Sequence, residues 1–255
     1  MKLNYLLIII LSLALSIITF SSIVSIYEKR VKIINKISGS VSSFGKNEYI
    51  EFDEEKYQLA KKIVNEGGFI LHFRHAHREK WIDVTMYDAK EINQKRKAED
   101  EYYKDAVCLS KRGMIQAKMM GEIWSSLSIP VHQIVSSPSC RARQTAQIVF
   151  GGYGSLKSIL LHKGPFREDI KDFRNKIKKF YLETEQKNGS NTIVSSHNGV
   201  VDEKIFDEII KQPKEFSLEE GGFYVMKVEN KKLIFIDKFN NFQDFNLQFQ
   251  KRANY

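Results

Sequence analysis

The chain has 255 residues, with 40 Lys+Arg against 31 Asp+Glu for a formal net charge of +9, and 42% of it is hydrophobic. That is enough apolar material for a packed core, which excludes disorder or low complexity as a description of the whole. Two cysteines, Cys108 and Cys140, are too few for a disulfide framework or a cysteine-based zinc cage, so the fold is expected to stand on its core.

Lys2 is the only charged side chain before Glu28, and Tyr5 to Ile26 reads YLLIIILSLALSIITFSSIVSI. At roughly 1.5 Å rise per residue this segment spans a hydrocarbon core of about 30 Å, which predicts an N-terminal transmembrane helix within residues 1–27. A secretory signal segment is the alternative, with Thr19-Phe20-Ser21 carrying small residues at cleavage-site spacing. Lys29, Arg30, Lys32 and Lys36 follow the apolar run, and positive residues alone would hold the remainder in the cytoplasm. A lysine-led apolar start is also how exported chains begin, and large domains translocate largely regardless of charge, so the domain is expected outside. Residues 28–50 mix basic with Ser/Gly positions and read as a juxtamembrane linker, leaving 51–255 as the folded domain.

From Glu51 onwards helical and strand signals alternate, the pattern of an α/β protein: a three-layer α/β/α sandwich with a mostly parallel central sheet. Leu59, Ala60, Ile63 and Val64 mark one face of a helix that Gly67-Gly68 ends. The apolar run Phe69 to Phe73 is a buried strand, followed at once by Arg74-His75-Ala76-His77-Arg78. Trp81 to Val107 is polar and charged, a surface loop or cap. Met114, Ala117, Gly121, Trp124 and Leu127 form a helical stripe. His132 to Val135 is a strand, Ser136 to Arg141 its turn, and the next helix stops at Gly151-Gly152. Ile170, Phe173, Ile177 and Phe180 repeat at core helical spacing. Asn191 to Ser195 is a strand, Ser196-His197-Asn198-Gly199 a turn, and Val200 to Ile210 a helix before Pro213. Phe223 to Val228 and Leu233 to Ile236 flank Glu229-Asn230-Lys231-Lys232 as a hairpin at the edge of the sheet.

Three strand ends thus deliver Arg74, His75, Arg141 and His197. Open α/β sheets bind ligands beyond the carboxyl ends of their strands, so these residues are expected to converge. Ser137 suits an N-cap and Pro138 a first helical position, and a helix start offers free N–H groups to an anion. Arginine's planar fork matches phosphate oxygens, and histidine attacks phosphorus when neutral or donates to a phosphoryl oxygen when protonated. Two arginines, two histidines and a helix start describe a phosphate site.

The pieces FRHAH (73–77), LSKRGMIQA (109–117), IVSSPSCRARQTA (134–146), FRE (166–168) and VSSHNGV (194–200) occur in order, and with them the chain resembles the histidine phosphatase superfamily, in its phosphoglycerate mutase-like branch. The resemblance implies a phosphomonoester hydrolase with His75 as nucleophile, Arg74, Arg141 and His197 as the phosphate pocket, and Glu168 as proton donor, with Asp169 and Glu79 as fallbacks. It implies no metal or organic cofactor, and a phosphorylated small molecule or phosphoprotein as substrate. Asn198 stands where another branch carries an acid. Ala76 replaces the usual glycine, and its methyl group resists a positive φ; that motivates a rival reading as a membrane-tethered pseudoenzyme that binds phosphorylated ligands without turnover. A phosphomutase or a phosphatase of phosphohistidine proteins are rivals within enzymes.

Blander readings apply elsewhere. His72, His75 and His77 invite a metal, but strand alternation sets His72 opposite His75 and no acidic partner has ligand spacing. His132 and His162 read as surface or strand-edge residues. Cys140 reads as a passive small residue of the phosphate turn rather than an activated thiol. The basic charge is spread over helices and linkers with no recognition motif, so no nucleic-acid partner is expected.

Overall fold

The computed structural model describes residues 52–79, 107–161 and 169–250, all within the unit Glu48–Tyr255. The apolar segment 5–26, the linker 28–50, most of the insert after Trp81, His162 and Glu168 lie outside the described residues. Among the described residues no helix is long and apolar enough to cross a membrane.

In chain order the elements are α1 (Glu54–Asn65), β1 (Ile70–Arg74), α2 (Lys111–Ser126), β2 (Val131–Ser136), α3 (Cys140–Phe150), β3 (Ser155–Leu156), α4 (Ile170–Leu182), β4 (Asn191–Ser196), β5 (Glu208–Ile209), β6 (Phe223–Glu229), β7 (Lys232–Phe239) and α5 (Phe242–Gln250). The strands form one sheet in the order β3-β2-β4-β1-β6-β7-β5. β1 pairs in parallel with β4, β4 with β2 and β2 with β3, but β6 runs antiparallel to both β1 and β7. The sheet is therefore mixed. The tight β6–β7 hairpin reverses β6 alone, because a two-residue connection joins only antiparallel strands; β7 and β5 pair in parallel and run with β1, so the sheet is otherwise the parallel one expected. Asn230 and Lys231 at its tip both take positive φ, the geometry of a type I′ turn.

Alternation along the strands splits the core into two layers. Leu71, Phe73, Ile193, Phe223, Val225 and Phe239 face α1, α2, α3 and α5. Ile70, Val194, Tyr224, Met226 and Phe235 face α4 and the segment after β4. Phe73 is central to the first layer, with its ring centroid 4.5 Å from that of Phe223 and 5.0 Å from that of Phe150. Such aromatic pairs add about 0.5–1.5 kcal/mol each beyond area burial.

Several local expectations change. The helix expected over Val200–Ile210 is a 3₁₀ turn at Glu203–Ile205 followed by β5. Val200, Val201 and Ile205 are buried in the layer that holds α4, Asp202 caps Lys204 and pairs with Arg174, and the chain must then extend to join β7. Ile170 and Met114 are exposed: Ile170 lies a turn before the buried stripe Phe173, Ile177, Tyr181, and Met114 sits beside the buried stripe Gly113, Ala117, Met120, Trp124 rather than on it. The edge strands β3 and β5 and the helix α5 carry no strong periodic signal.

The cysteines are not passive. Cys108 and Cys140 form a disulfide across 32 positions, so a covalent tie joins the segment entering α2 to the first residue of α3. The fold does not stand on its core alone.

Candidate active site

β1 and β4 are central and deeply buried, and β2 is buried at its carboxyl end, so the ends that deliver the site residues are fixed points. Arg74 closes β1 and His75 follows it, with its backbone N–H donating to Ser196 O at 3.0 Å. Arg141 is the second residue of α3, and His197 is the first residue past β4. The Ser137 N–H donates to Ser195 O, which sets the β2–α3 turn beside the end of β4. The imidazole centroids of His75 and His197 are 5.3 Å apart at 62°. The four residues expected to converge do so.

His75 is 4% exposed, and its Nδ1 lies 2.7 Å from Ala76 O. A carbonyl only accepts, so Nδ1 carries the proton and the lone pair is on Nε2. Burial first, then the charges of Arg141 and Arg74, push this imidazole well below its ordinary 6.5. A neutral ring with a defined basic nitrogen lies within the field of two cations.

Arg74 is held by its own fork. Nη1 donates to Leu218 O at 2.5 Å and Nη2 reaches Glu220 Oε1 at 3.4 Å, while its buried Nε has no hydrogen-bond partner among the described residues. Burial lowers its proton affinity, and Glu220 and Glu219 act against that. Arg141 is 2% exposed. Asn198 does not face a substrate as an acid would: its amide exchanges two hydrogen bonds with Leu218, Nδ2 to O at 3.0 Å and N–H to Oδ1 at 2.9 Å.

The helix start differs from the expected one. The N-cap is Ser139, two residues later than Ser137, and its hydroxyl makes no capping bond. Instead Ser139 Oγ lies 3.1 Å and Ser137 Oγ 3.0 Å from His197 Nε2. The backbone is still extended at Ser139, so the helix begins only at Cys140. The two hydroxyls are thereby released to the imidazole.

Ala76 lies outside the positive-φ residues, is fully buried, and packs its methyl group among Leu71, Phe73 and Ala117. Its N–H donates to Thr145 Oγ1 at 3.0 Å, and that hydroxyl donates back to Arg141 O at 2.8 Å. The substitution of glycine therefore carries no backbone strain here. His77 is tied outward, Nδ1 to Ser110 Oγ at 2.7 Å and N–H to Gln116 Oε1 at 2.8 Å.

Of the acids, Glu168 lies outside the described residues. The Asp169 carboxylate is spent as the N-cap of α4, accepting from Lys171 N at 2.7 Å, and Glu79 is exposed. Sequence reasoning missed Ser137 and Ser139 as partners of His197, Thr145 as the bridge from Ala76 to Arg141, and Glu220 on Arg74. Thr145 was findable, since it stands four residues after Arg141 and so one helical turn above it. Among the described residues, no group of three His, Cys, Asp or Glu side chains is placed to hold a metal ion.

Residues 91–164 match the model of the histidine phosphatase superfamily (branch 1). That span takes in the 109–117 and 134–146 pieces with Arg141, and leaves out His75 and His197. The superfamily is the one that the motifs resemble. No curated protein matches the chain. Among solved structures, the chain is similar to the protein histidine phosphatase SixA complexed with tungstate, at 13% identity over 70% of this chain and 99% of that one, with a TM-score of 0.45. It is also similar to a putative α-ribazole-5′-P phosphatase from Escherichia coli, at 13% identity over 69% and 98%, with a TM-score of 0.44. A third is the putative phosphohistidine phosphatase SixA from Agrobacterium tumefaciens, at 15% identity over 68% and 97%, with a TM-score of 0.39.

Proposed function

We propose that the chain is a phosphomonoester hydrolase that acts through a phosphohistidine on His75. The observation that carries this is the state of that imidazole: buried, neutral, its Nδ1 proton donated to Ala76 O so that Nε2 keeps its lone pair, its ring beside that of His197 and within the field of Arg141 and Arg74. Nε2 attacks phosphorus, the P–N bond forms and the P–O ester bond breaks. The leaving oxygen takes a proton, the role proposed for Glu168. Water then attacks, giving a proton back to the Glu168 carboxylate as its oxygen bonds to phosphorus; the P–N bond breaks and inorganic phosphate departs with Nε2 and Glu168 restored. The two arginines neutralise the charge on the transferred group at about 1.5–3 kcal/mol per charged hydrogen bond. A phosphorylated small molecule or phosphoprotein is the substrate class.

The domain organisation belongs to the same reading: an anchor or signal segment in 1–27, a linker in 28–50 and the phosphatase domain from 51. The Cys108–Cys140 disulfide supports a domain that faces an oxidising compartment outside the cytoplasm.

The test is an assay of the purified chain on aryl and alkyl phosphates across pH, with chelator present, beside His75→Ala and Glu168→Ala. Acid-trapped phosphate on His75 of the wild type is the expected result. Phosphate binding without hydrolysis of any ester favours the pseudoenzyme reading instead. An aryl oxide leaves without help, so Glu168→Ala should lose more activity on alkyl esters, and equal losses on both remove Glu168 from its role.

A further inference from the structure

His72 is a fully buried histidine with no part in the chemistry above. It lies at the middle of β1, opposite Val194 on β4 and Tyr224 on β6, with its ring stacked on that of Tyr224 at a centroid distance of 5.9 Å. Both of its nitrogens are engaged. Nε2 is 3.3 Å from the backbone oxygen of His197, and Nδ1 is 2.6 Å from the Tyr181 hydroxyl. Because the His197 carbonyl only accepts, Nε2 carries the proton, and Nδ1 must accept from Tyr181. Tyr181 on α4 thus fixes the tautomer that lets His72 hold His197.

A leucine or phenylalanine would fill this slot with no polar group to desolvate. What an apolar side chain cannot do is donate to His197 O. That oxygen lies beyond Arg74–Ser196, the last pair of the β1–β4 ladder, where strand pairing no longer fixes the backbone. Burial keeps the ring neutral by pushing it down to about 4, so the single N–H is present across the physiological range.

We propose that His72 is a positioning residue for His197: its N–H pins the carbonyl of His197 from beneath the sheet end, and the Tyr181 hydroxyl holds His72 in the donating tautomer. This rests on reading His197 as part of the phosphate site. Asn198 and Leu218 brace the next residue, so the His197 backbone is gripped on both sides of its carbonyl.

The experiment compares the full chain with His72→Leu, His72→Gln and Tyr181→Phe, reading inorganic phosphate affinity by calorimetry, kcat and KM on an aryl phosphate, and thermal melting. Folded His72→Leu should bind phosphate about tenfold more weakly and lose kcat in similar proportion. His72→Gln, whose amide still donates, should recover most of both, and Tyr181→Phe should fall between. Unchanged phosphate affinity and kcat in folded His72→Leu overturns the inference while leaving the hydrolase reading intact. Weakened phosphate binding in a chain whose wild type turns nothing over upholds it and sinks the hydrolase reading. If His72→Leu does not fold, ¹⁵N shifts of the His72 ring in the wild type decide: protonation on Nδ1 rather than Nε2 overturns it.

Discussion

The Cα of Gly113 presses against the carbonyl of His77 so closely that any Cβ at 113 would overlap that oxygen. Gly113 lies in the first turn of α2, and Ser110 at the helix N-cap accepts its N–H at 3.1 Å while donating its own N–H to the same carbonyl. The segment carrying His75 is thus packed backbone to backbone against α2. Gly113→Ala should cost at least the ~3 kcal/mol upper end of overpacking, and should move the loop that holds His75. Denaturant unfolding and phosphate binding check this together, and a stable, tight-binding G113A protein refutes the close approach.

The depressed His75 imidazole sets a pH expectation. Since it is neutral well below 6.5, the nucleophile itself gives kcat/KM no acid limb near 6.5; a limb near pH ~6 belongs to the second ionisation of the substrate phosphate. An NMR titration in which the ring of residue 75 protonates with a midpoint near 6.5 would refute this.

For stability, His72 works in the same direction. Folded, it holds a pKa of about 4 against the ordinary 6.5. The unfolded chain therefore binds the extra proton first, and stability falls as pH drops from about 6.5 towards 4. The fall is roughly 1.4 kcal/mol for each tenfold rise in proton concentration, about 3 kcal/mol over the window. Folded His72→Gln should flatten that part of the urea stability profile. A wild-type profile that stays level over the window contradicts it.

Reducing the Cys108–Cys140 bridge, or making the double serine variant, should cost about 3–4 kcal/mol for a loop of this length. Cys140 adjoins Arg141, and Leu109, next to Cys108, donates its N–H to Gln144 Oε1 at 2.7 Å, so phosphate affinity should fall with stability. Unfolding curves and phosphate titrations with and without a dithiol check both. Identical melting in the two states refutes the first expectation.

The layering and the meeting of Arg74, His75, Arg141 and His197 were legible in the sequence because each sits where a short apolar run ends, and strand ends in such sheets share one rim. The reversal of β6 followed from a turn that was itself readable at Asn230-Lys231, but its other neighbour was not: nothing local says that β6 pairs with β1, which puts the hairpin inside the sheet rather than at its edge. The disulfide was invisible because 32 intervening positions hide the proximity. Ser137 was misread as the N-cap for a related reason: its hydroxyl faces a histidine brought in from another strand, and capping rules see only the nearby helix.

β1 and β4 lie inside the sheet, each flanked by strands on both edges. Their amides should exchange with solvent only when the whole domain opens. Heating should therefore abolish phosphate capture at the same temperature at which the fold melts, with no earlier inactivation step, and the two curves should superimpose.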